Sequence, residues 1–163
     1  MNVFYLDECP FKCAPMHCHV HQNKMIIEYA QLLSTAHHVI DGGASIDGLY
    51  KVTHRNHPSA VWARESSDHY DYVLELWIAL CELYTRRTGK EHATYRKLFS
   101  KLIKWPARIE QKPFVEPPQC MPDEYKHDDT VTAYRQYMKA KLNEWQSREK
   151  PLKVVFDIIP DWL

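Results

Sequence analysis

The chain has only four glycines in 163 residues, too few for a protein built from tight turns and hairpins, which use glycine at positive φ. No apolar run approaches the ~20 residues that carry a helix across a bilayer, and neither a lipidation signal nor a juxtamembrane basic block is present, so no membrane residence is expected. Neither charge is in excess: Lys+Arg and Asp+Glu number 21 each. Without a whole-molecule positive field, any affinity for nucleic acid has to be local. The five cysteines are an odd number, and Cys9, Cys13 and Cys18 crowd the N-terminus with no secretory leader read ahead of them. The expectation is reduced thiols in a cytoplasm, that of a host cell, and no disulfide framework.

What the chain does have is ten tyrosines, five tryptophans and ten histidines, a composition that points to helices around an aromatic-rich core or site. Its length suits one domain over residues 1–163 with a core sufficient to need no staple. The apolar residues 3–6 read as a short extended arm, with Pro10 and Pro15 breaking any regular element after it. Residues 17–40 read as one helix, stopped at Asp41, Gly42 and Gly43. A second begins at Asn56, His57 and Pro58, where a capping residue meets a proline in the first turn. After a break or recap at Ser67 and Asp68, residues Tyr70, Val73, Leu74, Trp77, Cys81 and Tyr84 recur at spacings of three and four, up to Gly89. A shorter helix runs from about His92 to Lys104, and a last one follows the cap at Asp128, Asp129 and Thr130, with Val131, Tyr134, Met138, Leu142 and Trp145 on one face. Residues 106–127 hold Pro106, Pro113, Pro117, Pro118 and Pro122 and no periodicity, so they read as an irregular wrapping segment. Residues 154–159 suit a short strand or a docked tail. The expected fold is all-α, a single compact domain of about five helices with long proline-rich connections.

On the first long helix, Lys24, Glu28, Gln31, Thr35 and His38 fall in a band about 80° wide at 100° per residue, extended toward the N-terminus by His21 and His17. Met25, Ile26, Tyr29, Ala30, Leu32 and Leu33 fill most of the remaining circumference. Such a helix is buried, and its stripe faces either a cleft or an internal salt-bridged network. In the first case Glu28, beside Lys24 and His21, has the residue types of a tuned acid or base, and Gln31 can donate to and accept from a base edge.

Three further groups stand out. Cys9, Cys13, His17, Cys18, His19 and His21 offer zinc-type ligands, but their spacing matches no standard finger; a structural zinc and small buried thiols are both open, and no metal or other cofactor is assigned. His54, Arg55 and His57 precede a helix N-terminus, a seat for phosphate or carboxylate, with Arg64 as a second cation and Trp62 as a stacking surface or a core residue. Arg135, Tyr137 and Lys139 interleave a ring with cations, as a nucleic-acid contact or as a solvated helix face.

The string from His17 and Cys18 through His21, Lys24, Met25, Glu28 and Gln31 to His37, the block Thr53, His54, Asn56, His57, Pro58, Trp62, Arg64, Glu65, Ser66, and the segment Met121 to Lys126 together resemble an uncharacterised phage-borne helical protein family. A remoter similarity, carried by residues 28–32, by residues 57–89 with their Tyr84-to-Gly89 ending, and by Tyr134 to Tyr137, is to the phage pyrimidine-dimer DNA glycosylases, which are single helical domains. That resemblance implies a nucleophilic amine on the residue exposed by methionine removal and an assisting glutamate on the first helix. Here Asn2 is too large for ready methionine removal, so the free amine belongs to Met1, and Gln31 stands at the glutamate position with Glu28 one turn away.

The sequence therefore leads to a phage-encoded protein acting on a nucleobase, nucleotide or DNA, a glycosylase-like hydrolase or lyase with Glu28, Lys24 and His21 as catalytic residues. Gln31, His54, Arg55, His57, Trp62 and Arg64 would bind substrate. The alternatives are a noncatalytic protein that binds and modulates a host protein, and a zinc-stabilised binding module.

Overall fold

The computed structural model describes residues 1–42 and 46–163. Among the described residues there is no strand, and the helices are α1 (Pro10–Cys13), α2 (His19–Asp41), α3 (Pro58–Glu65), α4 (Ser67–Thr88), α5 (Ala93–Leu102) and α6 (Thr130–Gln146). The chain is all-helical; α2 to α6 lie where five helices were expected, and α1 is additional. Pro10 and Pro15, expected to break structure, instead occupy the first turns of α1 and of a 3-10 turn at Ala14–Met16, where a missing N–H removes no bond.

Local chemistry sets the ends. His57 caps α3 by accepting from the Ser59 N–H at 3.2 Å, and His92 caps α5 in the same way from Thr94. Ser66 and Asp129 cap α4 and α6 through their side-chain oxygens. Helix α4 stops at Gly89, whose φ of 70° is left-handed and whose N–H returns to the Thr85 carbonyl. Gly42 ends α2 at φ 58°; Gly43, the other half of the expected stop, lies outside the described residues.

Helix α2 is the hub, packed against α3, α4 and α5. Its Met25, Ile26, Tyr29, Leu32 and Leu33 are fully enclosed, and α4 docks on it through the Trp77 indole N–H, which donates to the Ile26 carbonyl at 3.0 Å. The short arm at residues 3–6 has no helix and is packed into the core. Their four apolar side chains are buried, the Phe4 N–H donates to the Tyr29 hydroxyl at 3.1 Å, and the Phe4 ring meets His21, Tyr134 and Tyr137. Burying such side chains is worth roughly 1.5–3 kcal/mol each, more than enough to order a short segment.

Residues 154–159 form no strand. The Val155 carbonyl accepts from the His19 N–H, and Asp157 accepts from Gln22 at 2.8 Å and His19 at 3.1 Å. The tail thereby satisfies donors at the start of α2 that the helix itself leaves open. Apart from a 3-10 turn at Asp123–Tyr125, residues 106–127 contain no helix. They are fastened by His69, whose Nε2 accepts from the Val115 N–H at 3.0 Å while Nδ1 donates to the Trp62 carbonyl at 2.9 Å.

His17 and His21 stack 4.9 Å apart inside this core. Burial lowers the His17 pKa to about 4, and burial together with the His17 charge pushes that of His21 well below its ordinary range. Both imidazoles are neutral when folded and take up protons below pH 6.5 when unfolded, so stability is lost as pH falls from 6.5 toward 4, by about 3 kcal/mol from His17 alone. His21→Phe replaces a buried ring whose Nδ1 has no partner. Urea unfolding of this variant is expected to match the parent within about 1 kcal/mol at pH 7 and to show a smaller loss at pH 5. An equal loss in both proteins would place the acid sensitivity elsewhere.

Candidate functional site

The polar stripe of α2 divides in two. Its C-terminal half is occupied by the loop that follows: Thr35 Oγ1 accepts from the Thr53 N–H at 3.2 Å, Ser34 Oγ accepts from the Tyr50 N–H at 3.3 Å, and His38 Nε2 reaches the Tyr50 carbonyl at 3.0 Å. Side chains of the helix thus supply the pairing that a neighbouring strand would give this stretch of backbone. The N-terminal half is the open part. Lys24 is exposed and its Nζ stands 3.4 Å from Oε1 of the largely buried Glu28, one turn below the half-buried Gln31.

The turn beyond Thr53 brings more groups to this half. His54 has φ 48°, an uncommon conformation for a side chain with a Cβ; its Nδ1 lies 2.6 Å from Thr53 Oγ1, and its carbonyl accepts from the His57 N–H. The His57 pKa is lowered by burial first, then by the charges of the Met1 α-ammonium and His54, while Glu28 acts in the opposite sense. His57 is therefore in the electrostatic field of both the chain's N-terminal amine and Glu28. Because its Nδ1 accepts the cap bond, its neutral form carries the proton on Nε2. The N-terminus is held here by the buried residues 3–6 and by Asn2, whose Nδ2 donates to the Cys120 carbonyl at 2.7 Å.

The candidate site is the open half of the α2 stripe, Lys24, Glu28 and Gln31, with the adjoining turn from His54 to His57, on which Glu28 and the Met1 α-amine both act electrostatically. A carboxylate and a neutral imidazole are components of general acid–base chemistry, and an amine is a component of imine chemistry. The amine's location follows from the burial of residues 3–6, and their unbroken apolar character was the signal for it.

Other residues singled out in the sequence are placed elsewhere. His21 lies in the aromatic interior against Phe4 and Trp145. Trp62 is buried, donates its indole N–H to the Val115 carbonyl at 2.8 Å and stacks on His69 at 4.5 Å, so the ring has a protein partner where a base was pictured. Arg64 donates to the carbonyls of Arg55 and Ala60, tying the 54–57 turn to α3, while Arg55 itself is exposed. Arg135 donates to the Leu6 carbonyl and faces Asp7 at 3.7 Å. Tyr137 stacks on Phe4 under Lys141, which leaves Lys139 as the solvated cation of that group. Among the described residues no cluster of three or more His, Cys, Asp or Glu is placed to hold a metal. Of the thiols and imidazoles near the N-terminus, Cys13 donates to the Phe4 carbonyl and His17 to the Cys13 carbonyl.

Thr35→Val removes the acceptor for the Thr53 N–H. The substitution is expected to cost about 1–2 kcal/mol and to speed amide exchange at Thr53 selectively; unchanged exchange there would show that the loop is held by other contacts. No protein-family model, curated protein or solved structure matches this chain.

Proposed function

We propose that the protein is a phage-encoded, DNA-glycosylase-like enzyme that processes a nucleobase at the open half of the α2 stripe. The observation that supports this reading is the largely buried Glu28 beside Lys24, one turn from Gln31, with Glu28 and the Met1 α-amine both acting on His57; the resemblance to pyrimidine-dimer glycosylases implies an amine and a first-helix glutamate, for which Met1 and Glu28 would stand in at shifted positions. Glu28 stabilises the sugar cation as the protonated base leaves, and C1′ is then captured either by water that Glu28 deprotonates or by the Met1 amine, which gives up a proton. Gln31 reads the base edge, and His57 with Lys24 sets the local charge. Arg55 and His54, exposed on the adjoining turn, meet phosphate, and Lys139 adds a more distant backbone contact. With zero net charge, such contacts are local and strongly salt-dependent.

A second reading, a noncatalytic protein that binds a host protein, is favoured by one observation: Ile158 and Ile159 are 72% and 75% exposed in the C-terminal tail, beside a groove that includes Leu142, Val154 and Phe156.

The test is base release and strand cleavage on duplex and single-stranded oligonucleotides carrying damaged or modified pyrimidines, resolved on denaturing gels. Glu28→Ala is expected to lower turnover at least about 100-fold. Its stability should stay within about 1 kcal/mol of the parent, because the Lys24 partner is solvent-exposed. A residue appended ahead of Met1 should lower turnover as well. Full activity in Glu28→Ala would remove the mechanism, and no release from any substrate would turn the assignment to free nucleotides or to the protein partner.

A further inference from the structure

A second cleft, sharing no residue with the Glu28 site, opens between α4 and the two irregular segments at residues 3–9 and 110–116, with a volume of about 490 Å³. Asp68, Asp71 and Glu75 line it from one face of α4, at spacings of three and four, so that the first and last stand ~10 Å apart along the helix axis. Glu8 and Glu116 face them from the opposite wall, and no lysine, arginine or histidine lines the cleft. None of the five carboxylates takes part in an ion pair among the described residues; Asp71 accepts the Trp105 indole N–H at 2.6 Å.

Between the acids lies an aromatic box. Tyr5 and Tyr72 are 5.1 Å apart, Phe114 is 5.7 Å from Tyr72 and 6.1 Å from Tyr5, and all three line the same space. Tyr5 is only 2% exposed, yet its hydroxyl, unlike that of Tyr72, which donates to the Asp7 carbonyl, has no hydrogen-bond partner among the described residues. The Tyr5 side chain is thus enclosed while its unpartnered hydroxyl borders the cleft, in the field of Glu8 and Glu116, and is free to accept from a ligand.

We infer that this cleft binds an aliphatic polyamine, with its ammonium groups on the carboxylates, its methylenes on the aromatic faces and one amine accepted by the Tyr5 hydroxyl. The walls decide the ligand class. A divalent cation needs several oxygens converging on one point, and no such group is present among the described residues. An extended triamine instead needs separated anions with apolar surface and ring faces between them, where cation–π attraction adds to the ion pairing. A single lysine side chain from a partner protein would answer one of five acids, whereas a small polycation answers several, and the volume falls within the usual 300–1,000 Å³ of small-molecule sites. The acids already feel one another: burial and then Asp68 raise the Asp71 pKa, and burial and then Asp71 raise that of Glu75. A bound polycation relieves both strains.

Isothermal titration of the full chain with spermidine at fixed ionic strength, alongside magnesium chloride and a trilysine peptide, tests this. Saturable 1:1 binding of spermidine, at least about tenfold tighter than either competitor, is expected. Phe114→Ala and Glu116→Gln should each weaken it by about tenfold, and Tyr5→Phe should weaken it while leaving the melting temperature unchanged or higher. Phe114 also packs on Trp62 and His69, so the exposed Glu116 and the isosteric Tyr5 variant give the answer if Phe114→Ala unfolds. Magnesium binding as tightly as spermidine, trilysine displacing it at equal concentration, or unchanged affinity in Glu116→Gln and Tyr5→Phe would each overturn the proposal.

Discussion

A helix enclosed around most of its circumference is under pressure to find partners for the polar side chains that it carries inward, because an unpaired buried donor or acceptor costs about 1–3 kcal/mol. Helix α2 carries many: Gln22, Ser34, Thr35, His37 and Asp41 are all buried along it. Each draws another part of the chain to itself. Gln22 takes the C-terminal tail through Asp157, Ser34 and Thr35 take the loop at residues 50–53, and Asp41 accepts the backbone N–H groups of Ala107 and Arg108. His37 reaches the Tyr70 hydroxyl, which in turn donates to the Leu102 carbonyl. One helix thereby sets the course of three irregular segments and anchors α4 to the end of α5.

Histidine is the chain's usual fastener. His57 and His92 cap helices, His69 clamps the segment around Val115, and His17 holds the turn before α2. A neutral imidazole serves all of these because it offers one donor and one acceptor on a rigid ring that also packs like an aromatic. The high histidine content is therefore mostly architectural. His54 and His57 lie near polar, accessible groups at the point where the stripe of α2 is left uncovered.

The helices were legible because their signals are local. The three-and-four spacing from Tyr70 to Tyr84, the recap expected at Ser67 and Asp68 and found one residue earlier at Ser66, the cap at Asp129, and the stop at Gly89 depend on neighbours within a turn or two. The burial of α2 was legible for the same reason, since its narrow polar band leaves no broad solvent face. The candidate site was legible in part: Glu28, Lys24 and Gln31 share a face by helical geometry alone, and the His54-to-His57 turn announces itself by composition.

What the order of residues determined by itself was the all-helical fold, the ends of its helices and the stripe on α2, because periodicity and capping act over a few residues. The tertiary structure decided which polar groups stay available. Trp62, Arg64 and Arg135 have the side chains of ligand contacts and are used to hold Val115, the 54–57 turn and Leu6. Tyr5, read in the sequence only as part of a short arm, ends inside an acidic cleft. A side chain's partner is set by what lies across space from it, and for these residues that partner lies outside the reach of helical spacing.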